Sequence, residues 1–478
     1  MMRFLKKHTT LVLLLFLGCI SLGGCGGGSD PAPQEKDPEA LMRYLQDDSF
    51  AVREGETIVM DMETLFCEGI IPCGYANNLA TPYICLSLDK LPGNPPNQFP
   101  WTYRLRQDEA LLLFGKTPPP CAYFGMQEFL GLRYFPEKGY VDRLYAMIGD
   151  ATNHLLIKTQ GEEAPFNADF VLIATGNKTT EERVVRALEK AGYQKSIHNL
   201  HPLPAELVHF GLDERGDQFN FLLRAALIED ENTSYWRDMG DMRLLRITPE
   251  EELSPNPYAI LDLRVHGTGT NEFYLTPSIN ELEEALKAAY PDYDVTSLSV
   301  TQWLPDGLDP LAGNVDTLGA TSDTTYLITE PFSLEEGDFV MAYGVLHDVT
   351  GKGLYNNVTL YGWTVLEDLK GTRFEGLREL LGVAEASSKK NLSGSALQFL
   401  PDNPYKDHFY ALKVTRDCEE NGDNAVCLEV PAPSCYRMKL QELALAFRAY
   451  CESETKVAPA YTEILHDRAL LFRPKRDQ

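Results

Sequence analysis

The stretch "LDLRVHGTGTNEF" (261–273) places Arg264, His266 and Glu272 around a Gly-Thr-Gly turn, and "LHDVTGKG" (346–353) carries His347, Asp348 and Lys352. A histidine beside a carboxylate can move protons, and a nearby arginine or lysine can hold an anionic group or stabilise developing negative charge. Read as a strand, the first stretch sends Arg264 and His266 to one face by simple alternation. The six residues together are a candidate acid–base or binding site of the kind a hydrolase uses. The competing reading of each stretch is a solvated turn with a hydrogen-bonded histidine.

Three more histidines, His198, His201 and His209, fall in "HNLHPLPAELVH" with Glu206. Such a cluster raises the question of a metal, but its prolines break the helix that a His-Glu-x-x-His site requires, so turn or surface histidines are the other reading. Asp306, Asp309, Asn314 and Asp316 are oxygen ligands without the spacing of a calcium loop. No Gly-x-Ser-x-Gly is present, and Ser387-x-x-Lys390 stands without its companion motifs. No cofactor motif is found and no cofactor is expected.

These residues sit on a mixed scaffold. "FVLIATGNKTTEERVVRALEKAGYQKSIHNL" predicts strand, loop, helix and strand, with Thr179 and Glu182 as a capping box and Gly192 as the stop. The loop has one glycine and lacks both nucleotide-binding patterns, so a plain crossover is favoured. "TPSINELEEALKAAYPDYDV" predicts a second helix, capped by Ser278 and Glu281 and followed by an extended segment. The two units raise the question of an internal duplication. Asp37-Pro38 opens an earlier helix, and "ALLLFG" and "DHFYALKVTRDC" read as strands. "DFVMAYGVLHDVTGKGLYNNVTLYGW" reads as two strands about a turn, and "SCYRMKLQELALAFRAYCES" as a helix with a cysteine near each end. The expected class is α+β, mixed α/β units with large β additions, stabilised by disulfides. Two regions are expected, 38–248 with proline-rich loops and 249–478 richer in strands, meeting near "TPEEELSPNP".

The chain has 478 residues, a net charge of −27 and 44% hydrophobic residues, enough for a large core. Seventy acidic residues repel phosphate backbones, so nucleic acid is excluded as a partner through any broad basic face. Of ten cysteines, Cys19 lies in the leader and Cys25 directly follows it. The others form two groups, Cys67, Cys73, Cys85 and Cys121, then Cys418, Cys427, Cys435 and Cys451. Disulfides within each group are expected in an oxidising compartment. Spacing leaves three connectivities per group open, of which 67–73, 85–121, 418–427 and 435–451 is the simplest set.

Arg3, Lys6 and Lys7 precede an apolar run and a glycine-rich stretch, the layout of a secretory signal (1–24). Leu22-Gly23-Gly24-Cys25 resembles the lipobox of bacterial lipoproteins, more closely than Phe16-Leu17-Gly18-Cys19 does. That resemblance implies acylation of Cys25, anchorage to a lipid bilayer in the cell envelope, and a tether over 25–37. Gly26 in place of Asp favours the outer membrane or cell surface over the inner membrane. The segments "WTYRLRQDEALLLFGKTPPPCAYFG", "YGVLHDVTGKGLYNN" and "GSALQFLP…FYALKVTRDC" resemble a family of exported proteins of bacteria, fungi and algae with no assigned activity, so no catalytic role follows from them. The leading expectation is an anchored lipoprotein whose globular part binds a small molecule, glycan or protein. The alternative is an extracytoplasmic enzyme built on the His, Arg, Lys and Glu site.

Overall fold

Asp37 opens helix α1 (Pro38–Asp47) as its sequence suggests, its carboxylate accepting from the Ala40 amide at 2.9 Å with Pro38 in the first turn. The computed structural model describes residues 35–71, 73–91, 97, 99–161, 164–228, 242–305, 307–365, 378–419 and 425–475. The leader with Cys19, the tether from Cys25 as far as 34, and Asp306 lie outside them. The architecture is α+β, dominated by sheet.

Strands β1 (Phe50–Glu54), β2 (Glu56–Met60), β3 (Tyr83–Ser87), β4 (Ala110–Lys116), β5 (Tyr123–Phe135), β6 (Tyr140–Met147), β7 (Thr152–Asn153), β8 (Asp169–Thr175), β9 (His198–Pro202), β10 (Gln218–Ala226) and β11 (Arg243–Pro249) build two sheets. Their orders are β1-β11-β4-β8-β9 and β2-β3-β10-β5-β6, with β7 beside β5. Strands β12 (Tyr293–Leu298), β13 (Val300–Gln302), β14 (Thr324–Thr329), β15 (Phe339–Val345), β16 (Tyr355–Val365), β17 (Arg378–Ser387), β18 (Phe409–Thr415), β19 (Val426–Glu429), β20 (Leu443–Tyr450) and β21 (Arg468–Pro474) build two more. Their orders are β12-β21-β15-β18-β19 and β13-β14-β20-β16-β17.

With β7 set aside, the two halves repeat one topology strand for strand. Even the parallel pairs correspond, β8 with β9 and β18 with β19, among otherwise antiparallel neighbours. The registers align the sequences: Ala110 and Phe339 open the two central strands opposite Ile247 and Phe472, which matches "RLLRITP" (243–249) to "RALLFRP" (468–474).

Packing follows from strand alternation. In the first half, Leu111 and Leu113 of β4 meet Phe221 and Leu223 of β10 between the two sheets, while Leu112 and Phe114 turn outward against α1 and α3 (Lys178–Lys190). In the second, Val340 and Ala342 meet Leu445 and Phe447, while Met341 and Phe339 pack on α4 (Thr276–Ala289). The inner sheets then face one another, joined by clusters such as Leu222 with Leu381 and Met438. The order of layers is helix, sheet, sheet, sheet, sheet, helix, about an approximate two-fold axis.

The halves also exchange arms. Helix α2 (Met62–Cys67) and the following loop pack Phe66 and Ile71 against Leu381 and Met438 of the second half. Its counterpart α5 (Asp309–Ala312) sends Leu311 into the first half's core.

Several expectations are corrected. Helix α3 is capped by Asn177, which accepts from the Thr179 and Thr180 amides, so Thr179 lies inside the helix. No side chain caps α4: Ser278 is buried and Glu281 instead accepts from Asn403 at 2.7 Å. "LALAFRAY" is the central strand β20, because a run apolar but for Arg448 between two neighbouring strands is buried on both faces and has no helical stripe to read. Strands β15 and β16 lie in different sheets, joined through the short helix α6 (His347–Thr350) with left-handed Gly351 after it, so no hairpin forms. Residues 251–271 form no strand.

The cysteine pairing differs too. Cys418–Cys427 forms, but Cys67 bonds Cys435 across 368 residues rather than Cys73, fastening the first arm to the second half. Cys73, Cys85, Cys121 and Cys451 are in no disulfide, so the expected 85–121 and 435–451 bonds are absent. Burial pushes the Cys85 and Cys121 thiols up to about 12. Cys67→Ser is expected to lower unfolding stability by about 2–5 kcal/mol. Denaturant titration checks this, and a non-reducing peptide map should recover the 67–435 link while the four thiols resist alkylation until the chain unfolds.

Candidate functional site

On the inner strand of each half one charged residue interrupts an apolar run: Arg224 in "FLLRAA" and Arg448 in "LAFRAY". Alternation turns both toward the opposing half. Register sets Arg224 opposite Tyr83 on β3 and Arg448 opposite Tyr326 on β14. Each guanidinium is flanked by two rings. Arg224 lies 5.6 Å from the Tyr83 centroid and 5.3 Å from Phe129; Arg448 lies 5.7 Å from both Tyr326 and Tyr361.

Each arginine also reaches across the axis to the other half's arm. Arg224 Nη2 donates to the Gly319 carbonyl at 2.7 Å, and Arg448 Nη2 to the Ala76 carbonyl at 2.8 Å. Both carbonyls lie seven residues before the tyrosine of their own half. The arms share one shape: Tyr75 and Ala76 are left-handed, as are Leu318 and Gly319. The Asn78 amide donates to the Tyr83 hydroxyl at 2.7 Å and the Thr321 amide to the Tyr326 hydroxyl at 3.3 Å. The Ala76 and Gly319 amides donate to the Leu380 and Tyr145 carbonyls of the opposite half. Arg448 additionally donates to Thr359 at 3.0 Å and to the Tyr361 hydroxyl.

Between the arms and the inner sheets is a cavity of about 60 Å³, walled by Met60, Trp101, Tyr145, Asn220, Leu304 and Tyr326 as well as both arginines. Arg224 is 9% exposed and Arg448 3%, yet among the described residues neither has a carboxylate within salt-bridge distance. The acids that sense them do little to balance them. Burial pushes Asp323 up to about 7 against hydrogen bonds from Tyr123 and Asn153, and it raises Glu385 as well. Asn220 donates from Nδ2 to the Trp101 carbonyl at 2.8 Å, which fixes its amide and leaves Oδ1 buried without a partner.

The histidine and lysine stretches build something different. His347 Nδ1 meets Glu272 Oε1 at 2.9 Å with both side chains 1% exposed, and Glu272 also accepts from Thr350 and from the Leu465 amide. Lys352 donates to Glu452 at 2.8 Å, Glu463 at 2.6 Å and Thr268 at 2.9 Å, which uses all three of its protons. Asp348 pairs with Lys389. Arg264 is exposed, with its amide on Asp150, and His266 is half-buried on the segment joining the halves. Thus Glu272 joins His347, and Thr268 joins Lys352, but these contacts anchor that joining segment to the second half and line none of the cavity between the arginines.

The other histidines are dispersed. His198 contacts the Tyr193 carbonyl, His201 contacts Thr152 at 3.0 Å, and His209 is exposed beside Asp217. Among the described residues no group of three potential ligands is placed to hold a metal.

Sequence reasoning missed both arginines. The available signal was a lone cation in the same place in two apolar strands, visible only once the halves are aligned.

No family model matches the chain, and no curated protein matches it. Among solved structures, an uncharacterized protein from Burkholderia cenocepacia aligns over 92% of this chain and 91% of its own, at 11% identity and a TM-score of 0.39, too low to carry an argument.

Burial opposes a charge on His347, but the Glu272 carboxylate outweighs it and lifts the imidazole to about 9. Burial likewise pushes Glu272 up, and His347 with the other donors outweighs it and holds the acid below its usual 4.5. The histidine's contribution is therefore complete below about 6.5 and lost as pH rises through about 9, while the glutamate's is lost only as pH falls below the usual carboxylate range. Glu272→Gln should cost about 3–5 kcal/mol at pH 6. Urea unfolding at stepped pH should show the gap between wild type and variant closing through pH 9.

Proposed function

We propose that this chain is an envelope-anchored lipoprotein that binds a small ligand in the cavity between its two halves. The single observation that carries the binding reading is the cavity itself, set at the interface of the inner sheets and walled by aromatic rings with a few convergent polar groups. The anchoring reading is supported by the charged and apolar leader and the Leu22-Gly23-Gly24-Cys25 sequence. Anchorage at Cys25 with a short tether leaves the globular part near a membrane surface, reached by solutes of the envelope. The enzyme reading receives less support, because the paired His347 and saturated Lys352 do not line the cavity between the arginines.

Cys25→Ser should move the protein from the membrane to the soluble fraction, read by fractionation and by loss of acyl mass from the mature amino-terminal peptide. Leu304→Trp fills the cavity from one wall. In the detergent-purified protein, a library of envelope metabolites should contain compounds that raise the melting temperature of wild type and leave this variant unmoved. Equal shifts in both would place binding elsewhere and overturn the cavity reading.

A further inference from the structure

A guanidinium taken out of water needs compensation, and buried arginines ordinarily obtain it from a carboxylate. Arg224 and Arg448 have instead one and two carbonyl or hydroxyl acceptors on their Nη2 atoms, a threonine, and the faces of four rings. Arg224 makes a single hydrogen bond among the described residues, out of the five that a guanidinium can donate. In a chain of net charge −27, two cations at equivalent positions bordering one cavity with no acid paired to either are a local inversion of charge. Asn220 lines the same cavity, and its Oδ1 is buried without a partner among the described residues.

Resting on the binding reading above, we infer that the ligand is a small oxyanion that also carries a hydrogen-bond donor, either a hydroxycarboxylate or a protonated phosphate, held by Arg224 and Arg448 with its donor on Asn220. The forked N–H groups of arginine match carboxylate and phosphate oxygens alike, so the charge alone does not separate the two sources. The space is that of a few heavy atoms, since a cavity of about 60 Å³ holds on the order of five waters. A bulky or polymeric anion does not fit. The donor requirement comes from Asn220: its Nδ2 is committed to the Trp101 carbonyl, so a bare anionic oxygen beside Oδ1 is repelled, and a hydroxyl is not.

The test is isothermal titration of the detergent-purified protein at constant ionic strength with glycolate, acetate, phosphate and sulfate. Glycolate should bind more tightly than acetate if the ligand is a carboxylate, and phosphate more tightly than sulfate if it is a phosphate. The preferred anion should bind about tenfold or more weakly to Arg224→Met and to Arg448→Met. Asn220→Asp keeps the shape of the wall and adds a negative charge, and it should abolish binding while circular dichroism reports a folded chain. It serves as the control if the methionine variants do not fold. Failure of all four anions to bind, or binding that Asn220→Asp leaves unchanged, overturns the inference. A neutral compound that binds wild type but not Leu304→Trp, and still binds both methionine variants, overturns it while leaving the binding reading intact.

Discussion

The two hydrogen bonds from Arg224 to the Gly319 carbonyl and from Arg448 to the Ala76 carbonyl are the constraint on which the rest of the architecture depends. Each joins the inner strand of one half to the arm of the other, so if the halves part Arg224 loses its hydrogen bond and Arg448 keeps only Thr359 and Tyr361 of its own half. The arms carry apolar cargo across the same boundary, Phe66 and Ile71 in one direction and Leu311 in the other. Separating the halves would therefore expose two desolvated cations and two apolar plugs together. This favours joint opening of the interface over independent motion of the halves. The fastening is uneven: the first arm has the Cys67–Cys435 bond, and the second has Arg143 on Asp316 and Arg133 on Asn314.

Local pattern carried the α+β class and the parts of the fold that local physics decides. The β8–α3–β9 crossover, β4 and β18 are legible because their apolar runs are bounded by turns or caps within a few residues. Helix caps were harder, since Asn177 and Thr179 both offer side-chain oxygens near the start of α3 and only backbone geometry selects the former. Strand β20 was unreadable for a different reason. A strand covered on both faces has no periodicity, and the flanking cysteines suggested a stapled helix where one of them reaches a partner in the other half.

The repeat illustrates the limit more sharply. The α3 and α4 units look alike in sequence yet occupy different places: α4 precedes β12 as α1 precedes β1, and α3 lies between β8 and β9. The true correspondences, "RLLRITP" with "RALLFRP" and "FLLRAA" with "LAFRAY", are short, and strand registers are needed to see them. The disulfide shares this origin, because Cys67 and Cys435 approach only through exchange of the arms. The histidine and lysine stretches are physically special, as their types suggested. Their chemistry is spent on holding the segment between the halves, a role that residue type alone does not distinguish from catalysis.

Where the copies differ, the difference gives the cavity a direction. Four residues before each arginine stand Asn220 and Ala444, and one residue before each arm carbonyl stand Tyr75 and Leu318. Tyr145, whose carbonyl receives Gly319, corresponds to Leu380, whose carbonyl receives Ala76. At all three pairs the first half is polar and the second apolar, while the arginines and the tyrosines Tyr83 and Tyr326 are the same in both. The backbone and the charges thus keep two-fold symmetry and the walls do not. A symmetric pair of cations would accept an anion in either orientation, whereas Asn220, Tyr75 and Tyr145 line the cavity and of their counterparts only Leu318 does, so the anion's two ends have different surroundings. Divergence of the walls around a repeated cationic frame is how a symmetric interface becomes able to orient an unsymmetrical ligand.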